Sequence, residues 1–399
     1  MFNRRSLILA AAAAAILGGA GAQSAAAEDA IKIGNIMPYS GPASAYGTIG
    51  KTMSAYIDMI NEQGGVHGRK IEFLSVDDAY SPPKAVEQAR RLIESEEIDV
   101  LYAPLGTPSN TAIQKYVNAR KVPHLFLATG ASKWNDPTNY PYTTGWQPNY
   151  PTESKIYVQY IKEHIEDPKI AILYQNDDFG KDYLHGFYEG LGEDKDKLIV
   201  AEAPYEVAAP TVDSEVLKLK ASGANVFYII ATPKFAAQAI KKSGEIGWTE
   251  NRFLTNVSVS VGGVLTPAGL EASKGLISAA YLKDASDPRW ADDPDMNDWR
   301  AFMDKYYPDG DKNSSFTTFG YASAATLIAA LEAAGPDAGR EEIMAAATSM
   351  DNVEIPLLLP GITVKTSETD FAPIEAMQLM QFNGEIWENF GEIIHAESS

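Results

Sequence analysis

From residue 31 onward, short runs of β-branched and aromatic residues alternate with longer segments whose apolar positions recur every three or four residues. A period near two followed by a period near 3.6 predicts strands joined by crossover helices, and hence a parallel α/β sheet. In the first part the strands fall at Ile31–Met37, Lys70–Val76, Asp99–Ala103 and Val122–Leu127, with helices at Tyr46–Gln63, Pro83–Ser95 and Ser109–Arg120 between them. The punctuation agrees. Gly64-Gly65 stops the first helix, and Ser81-Pro82-Pro83 opens the second with proline in its first turn.

A stretch rich in Pro, Tyr and Asn, residues 138–154, reads as a loop, after which the pattern restarts. Strands at Lys169–Tyr174, Leu198–Ala203, Asn225–Ile230 and Arg252–Asn256 alternate with helices at Phe179–Leu191, Thr211–Ala221 and Lys234–Ile246. The last third is more helical (Asp292–Tyr307, Phe316–Ala334, Arg340–Met350) and ends in strand-like Ile374–Phe382 and Gly384–Phe390. It is too small for a third domain and is expected to return and complete the first two. The fold class is therefore α/β, with two doubly wound, Rossmann-like lobes.

The ends and the composition set the compartment. Arg4 and Arg5, an apolar run from Leu7 to Leu17 and small residues up to Ala27 have the layout of a secretory signal peptide over residues 1–27, cleaved after Ala27. The paired arginines leave both the general and the twin-arginine export routes open. The chain has no cysteine, which removes disulfides, thiolate chemistry and the lipid anchor that bacterial lipoproteins carry on an N-terminal Cys. A free exported protein then points to the periplasm. Without Arg4 and Arg5 the chain carries 31 basic against 53 acidic residues, a formal charge of −22. So acidic a surface argues against nucleic acid as a partner and favours a soluble monomer.

The segment from Ile31 to Ile93 resembles the leucine/isoleucine/valine-binding protein family. The resemblance rests on Ser40-Gly41-Pro42, Tyr46-Gly47, the Asn61–Gly68 turn with its Gly-Gly-Val, and the run from Asp77-Asp78 to Arg90-Arg91-Leu92-Ile93. It continues through Gly106–Ser109, Ala128-Thr129, the segment from Tyr174 to Asp182, and Thr317–Leu327, and so covers essentially the whole mature chain. It implies a type I periplasmic substrate-binding protein of an ABC transporter, in which three crossover strands join the lobes and a small ligand is enclosed by hinge closure. The implied N-terminal lobe is 28–145 plus 278–356, and the implied C-terminal lobe 146–277 plus 357–399. An inner-membrane ABC permease is the implied partner, and no cofactor is expected.

In a doubly wound sheet, ligands bind beyond the carboxyl ends of the strands. Thr107 and Ser109 precede a helix, where a hydroxyl either caps orphan N–H groups or helps them hold an anion. The resemblance implies the second role, with Thr129 and the backbone of Ala128 and Ala131 joining them around a ligand carboxylate. It also implies Tyr46 as an aromatic wall, the alternative being a simple core residue, and sets Phe179 where amino-acid-binding members often carry Tyr. Thr232, Asn256 and Val257 complete the expected ligand-binding set. At Asn256-Val257-Ser258 the chain departs from amino-acid-binding relatives, which place an acidic residue there for the ligand ammonium, and Thr232 stands near a position where they carry Tyr. A buried ammonium without a partner costs several kcal/mol, so the expected ligand is a small carboxylate without an α-amino group, with an aromatic body. Branched-chain or other amino acids, or a sensory role, remain as alternatives.

Other chemistries find less support. The Ala45–Thr52 segment, AYGTIGKT, resembles a phosphate-binding loop, but seven residues including Pro38 and Pro42 separate it from its strand. His67, His124, His164, His185 and His395 are scattered without metal-ligand spacing, and no nucleophile elbow occurs. The reading is therefore of a binding protein with no metal and no catalytic residues.

Overall fold

A computed structural model describes residues 30–396, so the expected leader, 1–27, lies outside the described residues. Twelve strands are described: β1 Ile31–Met37, β2 Ile71–Asp77, β3 Val100–Tyr102, β4 His124–Leu127, β5 Thr143–Gly145, β6 Ile170–Gln175, β7 Ile199–Tyr205, β8 Val226–Ile230, β9 Arg252–Leu254, β10 Ile277–Ala280, β11 Ala376–Phe382 and β12 Trp387–His395. They form two sheets. The first has the order β2-β1-β3-β4-β5 and is parallel throughout. The second runs β12-β11-β10-β9-β8-β6-β7, parallel from β7 to β10 with an antiparallel edge in β11 and β12.

The central strands are apolar on both faces because helices cover both faces. In β8, Val226, Phe227, Tyr228, Ile229 and Ile230 are all buried. Five helices matter most for the site: α1 Gly47–Glu62, α2 Pro82–Arg90, α3 Thr107–Ala119, α4 Tyr150–His164 and α5 Asp178–Leu191. The long helix Ser315–Ala334 is buried over most of its surface and lies against α1. The approach needs Gly320, since a Cβ there would stand 2.8 Å from the Ile49 carbonyl oxygen.

The stretch read as a loop at 138–154 proves more ordered: β5 lies inside it, and α4 begins at Tyr150. Pro151 obscured that helix start. The position tolerates proline because first-turn N–H groups have no intrahelical partner, and Asn149 caps the turn by accepting from Thr152 N.

Where the chain passes between the sheets, two crossings lie side by side, with Lys283 N donating to Leu357 O at 2.8 Å and Leu359 N to Tyr281 O at 2.9 Å. The other crossing follows β5 and carries Trp146, fully buried, whose indole N–H donates to Thr326 Oγ1 and whose ring packs edge-on against Tyr281 and Phe319.

Candidate functional site

In each sheet the strand order reverses direction once, at β1/β3 in the first and at β6/β8 in the second. Loops diverge at such points and open a crevice. A cavity lies between the two crevices, lined on one side by Tyr46, Tyr80 and Leu105–Thr107 and on the other by Phe179, Thr232 and Asn256-Val257. Of the residues singled out in the sequence, Tyr46, Thr107, Ala128, Phe179, Thr232, Asn256 and Val257 line it, whereas Ser109, Thr129 and Ala131 are buried behind its wall.

The α3 N-terminus forms one pole. Gly106 precedes it at φ +100°, and a Cβ there would lie 2.6 Å from the Tyr80 ring, so glycine is required twice over. The turn is clamped from behind: Asn110 Nδ2 donates to the carbonyls of Pro104 and Gly106 at 2.8 and 2.9 Å. The Asn110 amide oxygen in turn lies 2.9 Å from His124 Nε2. Burial pushes His124 down to about 3, so the imidazole is neutral and acts as a fixed donor.

The hydroxyls at this pole have defined roles. Thr129 Oγ1 accepts from Tyr150 OH at 3.2 Å and from Trp134 Nε1 at 3.3 Å, with Ala131 N more distant at 3.5 Å. A hydroxyl has two lone pairs and one proton, so the Thr129 proton goes to Thr107 Oγ1, 2.7 Å away. The Thr107 proton is thereby left to the Tyr150 hydroxyl beside it and to the cavity that Thr107 lines. Ser109 differs: its hydroxyl donates to Asp78 Oδ2 at 2.6 Å, while Asp78 Oδ1 accepts from Tyr80 N.

The opposite wall is built on a second network. Gln175 Oε1 accepts from Tyr205 OH and Thr232 Oγ1, both at 3.0 Å, and Thr232 N donates to Tyr205 OH at 3.1 Å. Gln175 Nε2 donates to Asp177 Oδ2 and, at 3.4 Å across the cleft, to Tyr80 OH. The Tyr80 hydroxyl proton is then also free to serve the cavity. Asp177, which caps α5 through Phe179 N and Gly180 N, fixes Phe179 edge-on to Tyr150 with ring centroids 5.4 Å apart.

Several residues of this site carry no clear mark in the sequence: Tyr80, Glu153, Tyr281 and Asp284. Glu153 is wholly buried on α4, where Oε1 accepts from Asn256 N and Tyr157 OH and Oε2 from Tyr183 OH, each at 2.7 Å. Burial pushes its carboxyl up to about 7 despite those three donors. The Asn149-x-Pro151-x-Glu153 pattern of a helix start was the one available signal for it. The cavity-lining Lys283 has its ammonium committed to Asp293 and Asp295. Among the described residues, no group of three or more His, Cys, Asp or Glu is arranged to hold a metal ion, and no helix is long and apolar enough to cross a membrane.

Known proteins give this geometry a family. The chain is 26% identical over 322 residues to Leu/Ile/Val-binding protein homolog 1 of Brucella abortus, covering 78% of this chain and 80% of that one. Its fold matches a branched-chain amino acid ABC transporter protein from Thermus thermophilus with bound valine, at TM-score 0.82 and 16% identity over 92% and 97% of the two chains. It also matches a fatty acid ABC transporter substrate-binding protein from Thermomonospora curvata, at TM-score 0.76 and 21% identity over 92% and 93%. The sequence profile described as periplasmic binding protein matches residues 30–385. The chain thus belongs to the periplasmic binding protein family, in its leucine/isoleucine/valine-binding type, and is a substrate-binding protein and not an enzyme.

Proposed function

We propose that this protein captures a small organic acid with an apolar, aromatic body by hinge closure and delivers it to an inner-membrane ABC permease. The lobes that close are 28–145 with 281–356 and 146–280 with 357–399, the boundary expected at 278 moving past β10 because its residues pair in the second sheet, and they act as a monomer. The observation that carries the reading is the Thr107 hydroxyl, which lines the cavity at the start of α3 while the lone pairs of Thr129 behind it are already filled. Together with the unbonded first-turn N–H groups of α3 it makes a neutral, preorganised cradle for a carboxylate. Ala128 lies beside the cradle, and Ser109, Thr129 and Ala131 support it from behind.

The rest of the ligand meets Tyr46, Phe179, Val257 and Phe316, with Thr232 and Asn256 as polar punctuation. Asn256 spends its N–H on Glu153 and its amide N–H on Ala279 O, and the Asn256–Ser258 segment has no carboxylate to receive an α-ammonium. The fatty acid protein from Thermomonospora curvata is a fold relative whose named ligand also lacks an amino group. A thermal-shift screen over benzoates, phenylpropenoates and amino acids tests the reading, since a ligand bound only by the native state raises the melting temperature. Stabilisation by aromatic acids supports it; stabilisation by amino acids alone contradicts it.

A further inference from the structure

The cavity wall at the hinge contains a carboxylate that the acid-binding pole does not use. Asp284 follows the crossing Tyr281–Lys283 and lines the cavity. It lies deep in the fold yet keeps part of its surface accessible, because what it faces is the cavity. Its Oδ1 accepts both the N–H of Ser286 at 2.8 Å and the hydroxyl of Ser286 at 2.7 Å, closing an Asx-type turn. Oδ2 makes no hydrogen bond within the protein. The adjacent cation, Lys283, is turned to Asp293 and Asp295 and does not neutralise it. Beside it, the Tyr281 hydroxyl and the Gln147 side-chain amide also line the cavity without a hydrogen-bond partner among the described residues.

A ligand that fills the cavity takes this oxygen out of contact with solvent, which is costly unless the ligand donates to it. We propose that Asp284 is a specificity-determining acceptor in the hinge wall and that the ligand carries a hydroxyl group on its apolar body that donates to Asp284 Oδ2. This rests on the organic-acid reading above. The choice of a hydroxyl over an ammonium follows from the organic-acid reading; an ammonium would meet the same oxygen with Tyr281 and Gln147 beside it, and phenylalanine is included in the test for that reason. Discrimination of this kind is strong, because a site built around a buried acceptor penalises the congener that leaves it unmet.

The test is titration calorimetry of the full mature protein and of Asp284→Asn. The probes are matched pairs: benzoate with 4-hydroxybenzoate, cinnamate with 4-hydroxycinnamate, and 3-phenylpropanoate with phenylalanine. Asparagine retains the bond to Ser286 through its amide oxygen but presents N–H to the cavity. The wild type is expected to prefer a hydroxy acid over its parent by roughly 10- to 100-fold, and Asp284→Asn to erase that preference. Acids that bind without a hydroxyl preference, or a preference that survives Asp284→Asn, overturn the role of Asp284 and leave the organic-acid reading standing. Binding of phenylalanine with no response to any acid overturns that reading and the hydroxyl assignment with it.

Discussion

The Tyr46 hydroxyl donates to the Val257 carbonyl oxygen at 3.0 Å, tying the start of α1 to the loop after β9 across the cleft. The Tyr46 ring also packs edge-on against Phe316 with centroids 5.2 Å apart, so its direction is fixed before the bond forms. In the hinge closure proposed above, opening the cleft breaks this bond and couples ligand affinity to it. Tyr46→Phe is expected to keep the ring packing and lose about 0.5–1.5 kcal/mol of closure, which weakens binding roughly 2- to 10-fold. Small-angle scattering should show a larger radius of gyration at half-saturating ligand than for the wild type. Unchanged affinity would separate Tyr46 from closure.

Thr107 and Ser109 make a contrasting pair, because the hydroxyl of one lines the cavity and that of the other is spent on Asp78. Thr107→Val removes the cavity-facing hydroxyl and should weaken carboxylate binding by roughly 10- to 100-fold; it also leaves the buried Thr129 hydroxyl without its partner, so the melting temperature should fall too. Ser109→Ala should lower the melting temperature as well, since it strips a bond from a buried carboxylate, but should change affinity less. The reverse ranking in calorimetry would mean that Ser109 donates to the ligand.

Glu153 gives the protein an unusual pH dependence. Its carboxyl is raised from 4.5 to about 7 by burial, with no cation beside it. The native state therefore holds a proton that the unfolded chain releases between these values. Its contribution is fully present below about pH 4.5 and is lost as pH rises through 7, an effect of about 3 kcal/mol. Denaturant unfolding of the wild type and of Glu153→Gln should show the wild type gaining on the variant as pH falls from 7.5 to 5. A difference that stays flat with pH would mean that Glu153 remains charged.

Gly106→Ala should be expensive. The φ of +100° costs about 1–3 kcal/mol for a residue with a side chain, and the added Cβ would displace the Tyr80 ring from 2.6 Å. Both affinity and melting temperature are expected to fall. A melting temperature equal to the wild type would show that the turn relaxes freely.

Much of the scaffold was legible from periodicity alone. β1, Ile31–Met37, lies where the run of apolar and β-branched residues placed it, and β8, Val226–Ile230, differs from the reading by one residue. These strands are local signals, apolar on both faces. α4 was missed because Tyr150 and Pro151 have loop composition, and the capping by Asn149 that makes them a helix start is a property of geometry. The same limit governs the site. Gly106–Thr107 stands out as a glycine before a helix, but nothing in the sequence tells that Ser109 turns toward Asp78 and Thr107 toward Thr129. Glu153 and Gln175 act through partners 103 and 95 residues away, and Asp284 through a cavity assembled from both sheets, and pairings of that kind are set by topology.

The most direct test of the account is isothermal titration of the mature protein with benzoate, 4-hydroxycinnamate, leucine and glutamate at pH 7.5. The neutral cradle at Thr107 and the absence of a carboxylate at Asn256–Ser258 predict that an aromatic acid binds at least about tenfold tighter than either amino acid, a difference of about 1.4 kcal/mol. Submicromolar binding of leucine or glutamate, together with no heat from either aromatic acid, would contradict it.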